Sequence, residues 1–287
     1  MTGKKPPLQK LDRIGGVDLY VLRLDLVHAD FGGNKWYKLK YNLSEMEKRK
    51  QHTLVTFGGA FSNHIAATAA AGKEKGIRTI GIIRGEEVSN PTLLFAKEQG
   101  MQLHFVSREF YRDKIKLINY TKEQFPDAYI IPEGGANTMG VAGCKEILAD
   151  LELDADVICC ACGTGTTLAG IILSLTGHQK AIGFQVLKAE NYIAGEIEKW
   201  LTHFMSSHKN LEVIEDYHFG GYAKITDELM KFIGVFEKKY SVPLEPVYTG
   251  KLMYGIFDLL DKGYFKPGQK ILVIHTGGLQ GNQGFRN

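Results

Sequence analysis

Eight short apolar runs rich in Val and Ile recur along the 287-residue chain, and helical patterns separate them. The runs lie at 17–24, 53–57, 79–84, 103–106, 129–132, 157–161, 182–187 and 271–275. They lack the polar alternation of a half-exposed strand, so each is expected to be buried on both faces. The intervening segments, such as 38–50, 64–75, 90–99, 142–152 and 227–240, carry helical spacing. Strands alternating with helices dictate right-handed βαβ units and mostly parallel sheets, an α/β class. The length exceeds one typical domain, so one large or two moderate domains are expected. No Ser/Pro-rich linker marks a boundary, and two domains would exchange the chain through short loops.

Composition removes several functional classes. No apolar run approaches the roughly 18 residues that span a bilayer, and the basic start, MTGKKPPLQKLDRIGG, has no apolar stretch of a secretory signal after it. A net charge of +3 with dispersed lysines gives no footprint for nucleic acid or an anionic membrane. Cys159, Cys160 and Cys162 crowd one strand run and Cys144 stands apart, without zinc-ligand spacing. They read as buried, reduced cysteines of a cytoplasmic protein.

Glycine is the one excess, 33 residues, and much of it sits where strands end. Ligands in open parallel sheets bind at the carboxyl ends of the strands. Four such ends carry polar signatures: Gly58 to Asn63, Glu133 to Asn137, Gly163 to Thr167, and His275 to Gly278. In the third, Gly163, Thr164, Gly165, Thr166 and Thr167 lead into a helix, so backbone N–H groups and hydroxyls converge on a spot suited to a phosphate. The loop lacks a Walker lysine and dinucleotide spacing, which disfavours a nucleotide; a threonine-capped helix start without ligand is the bland alternative. A fifth cluster, Gly32-Gly33-Asn34-Lys35, sets a lysine at a helix mouth, where the helix field lowers its amine pKa as a carbonyl-capturing lysine requires. Lys38, one turn on, can serve the phosphate as a cation. Lysine, phosphate cup and a Ser-Asn pair at another strand end together indicate pyridoxal phosphate.

At these residues the chain resembles the 1-aminocyclopropane-1-carboxylate deaminase and D-cysteine desulfhydrase family. The matching segments are GGNKWYKLKY, FGGAFSNH, CGTGTTLAG, EPVYTGK and IHTGG, in family order over about 17–278. The resemblance implies a fold-type-II pyridoxal phosphate enzyme, related to tryptophan synthase β. It implies two domains, each with an open, mostly parallel twisted sheet flanked by helices, and the cofactor in the cleft. Residues 1–46 and 139–287 would form the large domain, and 47–138 the small inserted one. Lys35 would hold the cofactor and act as base, Asn63 would bond its ring hydroxyl, and Gly163–Thr167 its phosphate. Ser62 would open the helix that receives the substrate carboxylate; Tyr248 and Tyr222 would be the active-site tyrosines. His64 and His275 read as structural. A homodimer acting on a small amino acid is implied as well.

Two positions bear on the reaction. The family's deaminases read Tyr-Glu-Gly-Lys, where the carboxylate keeps the cofactor's ring nitrogen protonated; here Tyr248-Thr249-Gly250-Lys251 offers a neutral hydroxyl. Thr276 likewise matches the desulfhydrases, where the deaminases carry leucine. Both favour β-elimination from D-cysteine, giving pyruvate, ammonia and hydrogen sulfide, over opening of a cyclopropane to 2-oxobutanoate. A racemase or β-replacement enzyme would use the same lysine and cup, and a non-catalytic binder of pyridoxal phosphate or another small phosphate is the alternative of another class. Four departures from the family, Phe61, Tyr37, Ala223 and the tail GGLQGNQGF, bear on the substrate; Phe61 and the tail are expected to border its pocket.

Overall fold

The two ends of the chain meet in one sheet. In the computed structural model, which describes residues 3–206 and 210–284, the order begins β1 (Leu8–Ile14), β2 (Val17–Arg23), α1 (Asn34–Lys48), β3 (Thr53–Gly59), α2 (Asn63–Lys75), β4 (Arg78–Arg84) and α3 (Pro91–Glu98). It continues with β5 (Gln102–Val106), α4 (Arg108–Arg112), α5 (Lys114–Gln124), β6 (Ala128–Ile131), α6 (Thr138–Cys144), β7 (Val157–Cys162) and α7 (Thr166–Ile172). The last elements are β8 (Lys180–Gln185), α8 (Tyr192–His203), β9 (Leu211–Ile214), α9 (Asp227–Tyr240), α10 (Thr249–Asp261) and β10 (Lys270–His275).

Six strands pair in the order β1-β2-β10-β7-β8-β9, and four in the order β5-β4-β3-β6. Every pairing is parallel except β1 with β2, joined through a tight turn at Gly15 and Gly16. The apolar runs are strands, as expected, and those inside the sheets are buried because helices cover both faces; 103–106 and 129–132 are not buried on both faces, since β5 and β6 lie at the edges of their sheet. β7 shows it best: all six residues are buried, three of them the free cysteines Cys159, Cys160 and Cys162.

Two strands and one helix boundary depart from the sequence reading. β1 and β9 are edge strands whose charged residues hide their apolar positions. α6 stops at Cys144, and tighter turn bonds from Glu146 to Gly143 and Ile147 to Cys144 replace the helix expected up to 152. There the Glu146 carboxylate is held by Lys40 and Tyr41 of α1.

A single buried cluster runs through both sheets, uniting Leu54, Ala67 and Ala70 of the four-stranded part with Leu22, Leu39, Ile158 and Leu272. α1 stands at its middle and buries Trp36, Leu39, Leu43 and Met46. Its first turn is thereby fixed between the carboxyl ends of the two sheets. Among the described residues no helix is long and apolar enough to cross a membrane, and no group of acidic, His or Cys side chains could hold a metal.

Candidate active site

A cavity of about 670 Å³ opens where the strand ends of both sheets face each other. Lys35, second residue of α1, lines it, with its Nζ 3.0 Å from Asn34 Oδ1. Burial, reinforced by the nearby charge of Lys38, lowers its amine pKa to about 7. The direction is the one expected at a helix mouth, but the dominant cause is desolvation by the cavity walls. Asn34 passes the order on: its Nδ2 donates to Thr167 Oγ1 at 2.8 Å, tying the lysine's turn to the Gly163–Thr167 loop.

That loop follows β7. Gly163, Thr164, Gly165 and Thr167 line the cavity, whereas Thr166 is buried behind it with its hydroxyl 3.0 Å from that of Thr164. Gly165 caps α7 in a left-handed conformation (φ 68°), and no side chain accepts from the helix's first N–H groups. Lys38 reaches the same end, buried, donating to the carbonyl of Gly134 at 2.9 Å. Burial lowers its pKa too.

At the β3 end, Ser62 caps α2 by accepting from the N–H of Ile65 at 3.3 Å. Asn63 lines the cavity and accepts from Gln280 Nε2 at 3.2 Å, and Gly277 lines it directly, so the atypical tail, whose Phe285 lies outside the described residues, does border the site. Phe61 does not: it is exposed and absent from the lining residues, which corrects the expectation that it borders the pocket. His64 is buried on the wall with both ring nitrogens unpaired, and burial together with Lys35 and Lys38 pushes its pKa well down.

Tyr222 and Tyr248 form the opposite wall, ring centroids 6.1 Å apart and edge to face. Burial raises both phenols above their ordinary range, so they are protonated donors at neutral pH. The segment bearing Tyr222 is strained: Phe219 (φ 53°) and Ala223 (φ 55°) are both left-handed. Ala223 thus occupies a conformation that suits glycine, the residue the family places there.

Thr276 lines the cavity, but Thr249 does not. The Thr249 hydroxyl is 2.9 Å from the N–H of Glu245 and turns toward that backbone. Glu245, a residue the sequence reading passed over, is buried and accepts from the N–H groups of Val247, Tyr248 and Thr249 at 2.6–2.8 Å. Burial raises its pKa against those three bonds. An acidic residue followed by proline just ahead of a helix is the capping signal that could have revealed it. Arg84 and Lys114 were missed on the wall, because a charged residue there reads as solvated surface, whereas Glu133, in one of the four polar strand ends, lines it.

The donor set matches a phosphorylated aromatic aldehyde. Hydroxyls and backbone N–H groups of the 163–167 loop stand near Lys38 at one end, as an anion would require, and a desolvated amine with no carboxylate partner among the described residues stands at the centre. A Cβ on Gly163 would meet the Tyr248 ring at 3.0 Å, so glycine keeps that wall clear.

The comparisons with known proteins agree. The family described as "Pyridoxal-phosphate dependent enzyme" matches residues 2–277. A protein of Pyrococcus furiosus with the provisional name 1-aminocyclopropane-1-carboxylate deaminase is 34% identical, over 96% of this chain and 88% of its own. The mitochondrial bifunctional D-cysteine desulfhydrase/1-aminocyclopropane-1-carboxylate deaminase of Arabidopsis thaliana is 32% identical, over 93% and 73%. The crystal structure of an ACC deaminase homologue superposes with a TM-score of 0.84 at 31% identity, covering 98% of this chain and 92% of that one. The chain therefore belongs to the fold-type-II pyridoxal-phosphate dependent enzymes, within the family of 1-aminocyclopropane-1-carboxylate deaminases and D-cysteine desulfhydrases.

Proposed function

We propose that the enzyme catalyses β-elimination from D-cysteine, releasing pyruvate, ammonia and hydrogen sulfide. One observation carries the choice. At the Thr276 end of the cavity, which the family resemblance assigns to the cofactor's ring nitrogen, no carboxylate of the described residues lines the wall. The Thr249 hydroxyl faces the Glu245 backbone, and the Glu245 oxygens are taken up by three N–H groups. The lining carboxylates, Glu133 and Glu196, belong to other loops. With no carboxylate on that wall to bond the ring nitrogen, an unprotonated pyridine is favoured, adequate for expelling a thiolate but a poor sink for opening a cyclopropane.

When bound, pyridoxal phosphate supplies the electron sink conjugated to the substrate's nitrogen. Lys35 is the residue to hold it, since an amine with a pKa near 7 is substantially neutral in the cell's pH range. The 163–167 loop and Lys38 hold the phosphate, and Asn63 the ring hydroxyl. Ser62 and the first turn of α2 receive the substrate carboxylate. Lys35, freed, takes the Cα proton; the Cβ–S bond breaks with its electron pair on sulfur, and the Tyr222 or Tyr248 phenol donates to the departing thiolate. Water hydrolyses the resulting enamine to pyruvate and ammonia. The same reading gives 47–138 as a smaller domain facing the rest of the chain across the cavity.

Holoenzyme given D-cysteine is expected to release pyruvate and sulfide in equal amounts, and Lys35→Ala to lose both that activity and the borohydride-reducible link to the cofactor. Release of 2-oxobutanoate from 1-aminocyclopropane-1-carboxylate, with no pyruvate from D-cysteine, would overturn the reading. It would establish the second one, which the name of the Pyrococcus relative favours and that of the Arabidopsis relative gives beside D-cysteine desulfhydrase.

A further inference from the structure

The wall opposite the cofactor end holds a charge that the elimination of D-cysteine does not use. Arg84, the last residue of β4, lines the cavity at its accessible side. Its guanidinium stands over the ring of Tyr111, 5.6 Å from the centroid. A Cβ built on Gly59 would lie 3.4 Å from its terminal nitrogen. The guanidinium is therefore beside the end of β3, three residues from Ser62. Lys114 stands over the same Tyr111 ring at 4.1 Å, but its ammonium is matched by Glu133 at 3.1 Å. Among the described residues Arg84 has no carboxylate partner. Of the two cations on this wall, one is paired and the other is not.

We propose that Arg84 widens the specificity, and that beside D-cysteine the site takes amino acids whose β-substituent ends in an anionic oxygen group, a phosphate, sulfonate or carboxylate. The inference rests on the elimination reading, which gives the substrate's α-carboxylate to Ser62 and the start of α2. With that group fixed, a substituent extending from the β-carbon along β3 comes to Arg84. A planar guanidinium bonds such a group through two parallel N–H donors. Its accessibility means that little hydration is lost before the ligand arrives, and the Tyr111 ring beneath it limits where the guanidinium can swing. With a phosphate substituent the chemistry balances without a further reactant. The Cβ–O bond breaks with its electron pair on oxygen, inorganic phosphate leaves, and O-phosphoserine plus water gives pyruvate, ammonia and phosphate.

Titration calorimetry on the holoenzyme tests this, with O-phosphoserine and serine, each in D and L form. Comparing the enantiomers that bind, O-phosphoserine is expected to bind at least tenfold more tightly than serine. In Arg84→Leu the ratio should fall to about one, and Arg84→Lys should keep part of it. The cofactor's visible absorbance shows that each variant is folded and loaded. Equal affinities in the wild type overturn the proposal, as does the absence of binding by either compound. A tenfold ratio that survives in Arg84→Leu overturns it too, even if both affinities drop together, since Arg84 would then serve the α-carboxylate. Failure of the elimination reading shows separately, as no pyruvate from D-cysteine, because the affinity ratio needs no turnover.

Discussion

Lys35 illustrates how a surface-type side chain acquires chemistry from its surroundings. Its lowered pKa is set first by burial and then by Lys38, whose ammonium is held on the Gly134 carbonyl. The charged form is disfavoured twice, by lost hydration and by a like charge. Capture of a carbonyl by the apoenzyme should accordingly speed up as pH rises through about 7, more than three units below an exposed lysine's value of 10.5. Replacing Lys38 with Met removes the like charge, so the inflection should move to higher pH. Stopped-flow absorbance of pyridoxal phosphate uptake against pH measures both, and an unmoved inflection would assign the whole shift to burial. Lys35 could be singled out from sequence because it sits beside glycines at a helix mouth. His64 could not be understood there, since one reading serves a solvated ring and a buried ring with no partner among the described residues alike.

The segment between β9 and α9 is a strained element that a buried lysine ties to α10. Phe219 and Ala223 are left-handed, at a cost of roughly 1–2 kcal/mol each for a residue with a side chain. Lys251 of α10 is buried and donates to the carbonyls of His218 and Gly221, both at 2.8 Å, bracketing Phe219 just ahead of Tyr222. Burial lowers its pKa to about 8. Between pH 8 and 10.5 the unfolded chain binds a proton that the folded one has given up, so this residue's penalty is full below pH 8 and relieved as pH rises. Lys251→Met should remove that component of the pH dependence of unfolding. It should also release Tyr222, raising KM for the amino acid several-fold while cofactor affinity stays the same. Denaturant unfolding at pH 7.5 and 9.5, with steady-state kinetics, checks both effects. Elements of this kind are where sequence patterning gives out. Buried strands such as β7 declare themselves by unbroken apolar runs. β1 interleaves Gln9, Lys10, Asp12 and Arg13 with its apolar positions, because one edge and one face meet water. The Tyr222 segment has no periodicity at all, and its shape comes from a lysine some 30 residues later in the chain.

At the scale of the molecule, the site exists because β10 returns to pair with β2 and thereby brings the chain's two ends together. Where they meet, backbone lies against backbone. The N–H of Asn34 donates to the Thr276 carbonyl at 3.1 Å, and a Cβ on Gly33 would fall 2.1 Å from that oxygen. Gly33 is also left-handed, with φ 83°. Behind the junction a buried ion network pins the strand ends. Arg23 grips Asp25 with two hydrogen bonds at 2.6 and 2.8 Å, and His275 Nδ1 stands 3.1 Å from the same carboxylate. Burial pushes that carboxyl's pKa up, but the bonds from Arg23 and His275 outweigh it and hold it well below its usual range. The glycine doublets visible in the sequence therefore do two separate jobs. Gly163 keeps a wall clear, whereas Gly33 lets Lys35's helix start against the strand that carries Thr276. Gly33→Ala cannot be absorbed by a rotamer change, because the clash is with backbone, and α1 cannot withdraw without pulling Lys35 from the cavity. The expected loss exceeds the roughly 1–2 kcal/mol of a left-handed alanine alone, or a fall in Tm of at least about 4 °C at a few degrees per kcal/mol. Gly163→Ala, pressed only against the Tyr248 ring, should leave Tm within about 2 °C and weaken cofactor binding instead. Thermal unfolding of the apoenzymes alongside pyridoxal phosphate titrations separates the two. If both variants lose stability alike, the doublets serve the fold as a whole and the division between junction and wall is wrong.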